Sequence, residues 1–215
     1  MIQRDFIMRM VQQFVAALLR VINLRTEGQT EQANQAIELA YRSAVGCGSE
    51  FIESLSGDEM LNMMRSGIFS PEQVLIAARL IEEQAAGEES GSADRLSKSL
   101  QLYLGVFAGP GSIILAEYAE RIDLLVERIA AEQLTQQTLI LGVTYYASVG
   151  GFDRAESMLF HAADQDPQSS DVVACGRAFY RDLEELPDDK LTCGGLPRDE
   201  MMQGKLDFEA LCSSG

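Results

Sequence analysis

Tryptophan is missing from this chain of 215 residues, histidine occurs once (His161), and there are only four cysteines and five prolines. Each scarcity removes an explanation. Cys47, Cys175, Cys193 and Cys212 lie far apart and form no C-x-x-C pair. Zinc ligation needs local ligand pairs, and a disulfide framework needs a small, cysteine-dense chain, so neither is expected. Reduced thiols in a cytoplasmic protein are the expectation, with no cofactor. Few prolines, no low-complexity tract and 47% hydrophobic residues argue against disorder, and a chain of this length buries a sizeable core unaided. Apolar runs are short as well. In "MIQRDFIMRMVQQFVAALLRVINLR" the longest clean one, Phe14 to Leu19, is too short to span a bilayer or serve as a signal segment. A membrane is not the expected partner.

Basic residues are scarce too: 17 against 33 acidic ones, a net charge of −16. Such a surface repels a phosphate backbone, so nucleic acid is not an expected partner. The charge is unevenly placed. Residues 1–26 hold Arg4, Arg9, Arg20 and Arg25 against Asp5 alone, a balance of +3 that leaves −19 for the remainder.

What the chain does have is helical periodicity. Ile2, Phe6, Ile7, Met10, Val11, Phe14, Val15, Leu18, Leu19 and Ile22 recur at three- and four-residue spacing and predict one helix over about 2–26. Gly28 breaks it, and Thr30 is the expected cap of a second helix carrying Ala33, Ala36, Ile37 and Ala40. Ser70, Pro71 and Gln73 spell out a helix start with a capping box. A helix is expected over 112–133, with Ile114, Leu115, Tyr118, Ile122, Leu125 and Ile129 on one side. Others follow from Thr135 to Val149, over 153–164 and 170–186, and from Pro197 to Leu211, with a loop through Pro187-Asp188-Asp189 and Gly194-Gly195. No segment alternates with period two between hairpin turn signals. The expected fold class is all-α.

Chemistry-bearing motifs are few. His161 has only Asp164 one turn away, which reads as a surface contact rather than an acid–base pair. The pairs Glu82-Glu83, Glu88-Glu89, Glu184-Glu185 and Asp188-Asp189 lack the spacing of a calcium loop and read as solvated faces and turns. There is no phosphate-binding glycine loop and no G-x-S-x-G elbow. No catalytic motif stands out, and the protein is not expected to be an enzyme.

The segment "LGVTYYASVGGFDRAESMLFHAADQDP", residues 141–167, has small and aromatic residues at regular intervals. It resembles a tetratricopeptide repeat: Leu141-Gly142 and Tyr145 on the first helix, Gly150 and Phe152 at the turn, Ala155 and Ala162 on the second helix, Asp166-Pro167 at its end. The spacing has a packing reason. Gly142 and Ala155 let two helices approach, while Tyr145 and Leu159 fill the space beside them. This copy has one extra residue between Tyr145 and Gly150; Gly28, Ala33, Ile37 and Ala40 give a weaker echo, and Leu96, Lys98, Ser99 and Leu100 a fainter one. The chain is also similar to a family of bacterial helical proteins of uncharacterised function, through "MIQRDFIMRM", "AESMLFHAAD" and "FYRDLEELPDDKLTCGGLPRDEM".

The resemblance implies antiparallel helical hairpins stacked as a short tetratricopeptide-like superhelix over one domain, 1–215. Its parts are an N-terminal amphipathic helix (1–26), degenerate hairpins (27–134), the clearest repeat (135–167), and capping helices with a tail (168–215). Such folds bind proteins on a concave face. Leu139, Val143 and Tyr146 are the expected groove residues, and they suit an apolar or basic segment rather than an acidic C-terminus. The expected function is non-enzymatic protein binding or scaffolding. The alternative is a structural homodimer built on the N-terminal helix through Phe6, Met10, Phe14 and Leu18, with no separate ligand.

Overall fold

The computed structural model describes residues 2–87, 92–108 and 116–213, and the side chains of 12–87, 92–108, 118–131 and 133–213. Among the described residues are twelve α-helices and no strand, so the chain is all-α, as its periodicity predicts. It divides into two compact units, 1–106 with 114–129 and 107–113 with 130–215, where the sequence reading took 1–215 as one domain. Each unit closes over an apolar core of its own.

The first unit opens with α1 (Ile2–Thr26) and α2 (Thr30–Ala40), which pack together. Phe14 and Val21 are buried on α1, and Ala33, Ala36, Ile37 and Ala40 on α2. The alanines bring the two backbones close. Thr30 is not the cap: it is already helical, the flanking residue is Gln29, and no side chain caps this end. A π-helical turn, Tyr41–Val45, follows. Then come α3 (Ser49–Ser54), α4 (Gly57–Arg65), α5 (Pro71–Ala85), α6 (Ser92–Phe107) and α7 (Ala116–Arg128).

The start of α5 is as the sequence predicts. The Gln73 amide donates to Ser70 Oγ at 3.3 Å, and the Ser70 amide donates to Gln73 Oε1 at 2.8 Å. A helix over the whole of 112–133 does not form, because Ala130 and Leu134 take extended backbone angles around a short 3₁₀ turn, Ala131–Gln133. Ile114 and Leu115 lie outside the described residues.

The second unit contains α8 (Gln136–Val149), α9 (Phe152–Gln165), α10 (Ser170–Glu184), α11 (Asp188–Cys193) and α12 (Arg198–Ser213). Thr135 caps α8, its Oγ1 accepting from the Thr138 amide at 3.2 Å. Gly150 ends α8 at φ +80°, a left-handed angle that glycine adopts without a Cβ clash. The chain then doubles back, and α9 packs along α8 with Leu139, Tyr145, Ala155, Leu159 and Ala162 all buried.

Gly142 does serve close packing, but its neighbour is Met158: a Cβ at Gly142 would stand 3.3 Å from that side chain. Helix α10 packs on α8 and α9, and α12 on α9 and α10. The Phe208 ring lies 6.0 Å from Tyr180 and 6.3 Å from Phe160. The loop expected through 187–195 contains α11, whose Leu191 is buried. Its following Gly194 carbonyl accepts from the Phe152 amide at 2.8 Å, tying the start of α9.

Candidate functional site

Helices α8 and α10 pack side by side, yet along part of their length their facing side chains are small. On α8 these are Thr144 and Ala147, next to Ile140 and Val143; on α10, Cys175 and Ala178, next to Phe179 and Asp182. Both sets step by three and four residues, so each is one face of its helix. Short side chains on two neighbouring helices leave a trough between them. It holds about 820 Å³, within the range of sites that receive a small molecule or cofactor. Phe152, Leu186 and Lys190 border it further along. Its walls are mainly aliphatic and aromatic.

Of the three residues expected to line a groove, Val143 does. Leu139 and Tyr146 do not. All three are buried, Val143 included at 2% exposure, and Tyr146 packs edge-on against Tyr145 at 5.1 Å with the Arg154 guanidinium 5.6 Å above its ring. The expected stripe 139–143–146 is one residue out of phase with the observed 140–143/144–147. A one-residue shift turns the assigned face by about 100°. Sequence reasoning missed Thr144, Ala147, Cys175 and Ala178. Their common signal is small size at matching intervals on α8 and α10.

Burial pushes the Cys175 thiol up to about 11, so at neutral pH it is a protonated apolar wall rather than a nucleophile. The groove lining itself carries one acid, Asp182, and one base, Lys190, while the segment that contains it is acidic. Residues 130–215 hold fifteen carboxylates and six basic side chains. Glu185 and Asp189, beyond the end of α10 and at the start of α11, are exposed and make no ion pair among the described residues.

A second apolar surface lies in the first unit. Val15, Leu19 and Ile22 of α1 are 46%, 57% and 40% exposed. Their spacing puts them on one stripe. Phe14, expected on a self-association face, is 8% exposed, and Leu18 is half-buried. The face left open is therefore the one beside Phe14 and Leu18. The side chains of Phe6 and Met10 lie outside the described residues.

One family model covers residues 1–211. The chain belongs to DUF6483, a family of unknown function. Both helical surfaces fall inside the match. No curated protein and no solved structure matches the chain.

Elsewhere in this DUF6483 chain, the first unit holds a buried ionic cluster. Arg79 reaches Glu82 at 3.1 Å and Glu83 at 2.5 Å; Arg121 of α7 reaches Glu82 at 2.6 Å, and Arg25 of α1 reaches Glu83 at 3.3 Å. The sequence reading placed Glu82 and Glu83 on a solvated face. They are buried instead, because arginines on three helices converge there and offset their charge. Burial, then the nearby Glu82 carboxylate, pushes the Tyr103 phenol well above its ordinary value. Charges paired in this way link α1, α5 and α7.

The other candidates of DUF6483 chemistry are separate. His161 and Asp164 are both exposed on α9, with no hydrogen bond between them. All four cysteines are free. Among the described residues no group of three or more His, Cys, Asp or Glu side chains is placed to hold a metal ion, and no helix is long and apolar enough to cross a membrane. Glu88 and Glu89 lie outside the described residues.

Proposed function

We propose that the chain is a non-enzymatic, cytoplasmic protein-binding protein whose α8/α10 groove receives an apolar helical segment carrying basic residues. The observation behind this reading is the groove itself: two helix faces, each repeating at three and four residues, leave an apolar trough of about 820 Å³. A helix presents side chains at that same interval, so helix and trough are matched in pitch. The surplus of carboxylates in residues 130–215 favours a basic partner over an acidic one, and it opposes nucleic acid. The tetratricopeptide-like character, hairpin α8/α9 followed by α10, supports the reading, since stacked hairpins commonly bind on their concave side. It rests on the residues of 141–167. Against catalysis, the groove walls pair no nucleophile with a base.

Binding of a labelled amphipathic Leu/Lys helix, followed by fluorescence anisotropy, tests the proposal. Ala178→Trp fills the trough with an indole ring. The wild type binds, and the variant binds at least tenfold more weakly, about 1.4 kcal/mol. Equal binding by both proteins overturns the reading. The homodimer alternative is favoured by one observation of its own, the exposed stripe Val15–Leu19–Ile22.

A further inference from the structure

We infer that the occupant of the α8/α10 groove is helix α1 of a second copy of this chain. The inference rests on the groove reading above and names its partner. Two surfaces carry it. One is the stripe Val15, Leu19 and Ile22, which turns outward from α1 while Phe14 and Val21 turn inward. The other is the trough, whose walls step at 140, 143, 144 and 147 on α8 and at 175, 178, 179 and 182 on α10. An exposed i, i+4, i+7 stripe is the anchor pattern of a helix that lies in a groove.

Charge selects the pairing. Residues 1–26 carry four arginines against one aspartate; Arg25 is taken up by Glu83, which leaves the exposed Arg20 beside the stripe and Arg4 and Arg9 earlier in the sequence, whereas residues 130–215 carry fifteen acidic and six basic side chains. Setting α1 against α1 of another copy brings like charges together and costs free energy. Laying α1 in the groove of another copy brings basic against acidic. Asp182 on the groove wall is paired with Arg181 at 2.9 Å and Lys190 borders the same trough, so the carboxylates open to a basic helix are Glu185 and Asp189, exposed just beyond it. The contact joins two different surfaces, so each molecule has one of each to offer.

Sedimentation of full-length proteins provides the test. Leu19→Glu alters the stripe at an exposed position. Ala178→Trp and, separately, Thr144→Arg at another exposed position alter the groove; far-UV circular dichroism confirms that each remains helical. The wild type self-associates, and each variant alone does so at least tenfold more weakly. Mixing Leu19→Glu with either groove variant restores a heteromeric complex, because one partner keeps its helix and the other its groove. A monomeric wild type overturns the inference. So does undiminished self-association of both groove variants, which places α1 on α1. So does a monomeric wild type whose binding to anionic lipid vesicles depends on Leu19. The Leu/Lys helix separates this inference from the reading beneath it. If it still binds Leu19→Glu while self-association has failed its test, the groove stands without α1; if it binds no form of the protein, the groove reading falls too.

Discussion

Glu156 shows at the scale of one residue how far sequence and structure differ in what they disclose. It lies half-buried on α9, accepting from the Tyr180 hydroxyl at 2.8 Å. Burial raises its pKa above the ordinary 4.5, the Tyr180 hydrogen bond works against that, and the carboxylates of Glu200 and Asp207 add to the rise. A carboxyl group with a raised folded-state pKa stabilises the fold fully below about 4.5, its unfolded value, and loses that contribution as pH rises through the folded one. At neutral pH an ionised Glu156 therefore works against folding. Glu156→Gln keeps an acceptor for Tyr180 and removes the charge. Its urea midpoint should rise at pH 7 and barely move at pH 4. The same shift at both values would mean that ionisation plays no part. Nothing in "AESMLFHAAD" marks this residue, because the burial that perturbs it comes from α10 and α12. Val143 lines the trough because the expected stripe and the observed one share that position. Leu139 and Tyr146 were misplaced because the interval of a stripe is readable while its rotation about the helix depends on what packs against it.

Elements were legible where their ends carry their own chemistry. Ser70, Pro71 and Gln73 announce α5, and Thr135 announces α8, since caps act within one turn. The start of α11 carries a similar local cue. Pro187 stands just before it and Asp188 and Asp189 occupy its first turn, a favourable start for a helix. Pro and Asp are equally at home in turns, so the six-residue helix does not stand out from a loop. Ends held by distant side chains were beyond reach. The C-terminal end of α3 is one: Lys98, from α6, donates to the carbonyls of Ile52, at 2.6 Å, and Leu55. Burial lowers the Lys98 pKa, and Glu53 and Glu59 oppose that. A lysine at this position neutralises carbonyls that the helix cannot satisfy itself. Lys98→Met retains the aliphatic stem and removes the donors. It should cost about 2 kcal/mol of stability, read from urea unfolding. A loss under about 0.5 kcal/mol, the scatter of ordinary surface substitutions, would show that water replaces the ammonium.

Over the whole molecule, the same variable is expected to act in two opposite directions. A net charge of −16 means that the folded chain repels itself, and added salt screens that repulsion. The proposed association of the basic helix α1 with the acidic segment that contains the groove draws on the same field with the reverse sign. Raising sodium chloride from about 0.02 to about 0.3 M shortens the Debye length from roughly 20 Å to under 10 Å. The melting temperature of the dilute wild type should rise, while its self-association measured by sedimentation should weaken. The two measurements constrain each other. If both strengthen with salt, apolar burial alone drives assembly and the arginines of 1–26 have no part in choosing the partner surface. If self-association weakens while Leu19→Glu also abolishes it, charge and the apolar stripe act together. Charge then brings α1 to the groove, and Val15, Leu19 and Ile22 keep it there. That division of labour is what an uneven charge balance, +3 in the first 26 residues and −19 in the rest, is suited to produce.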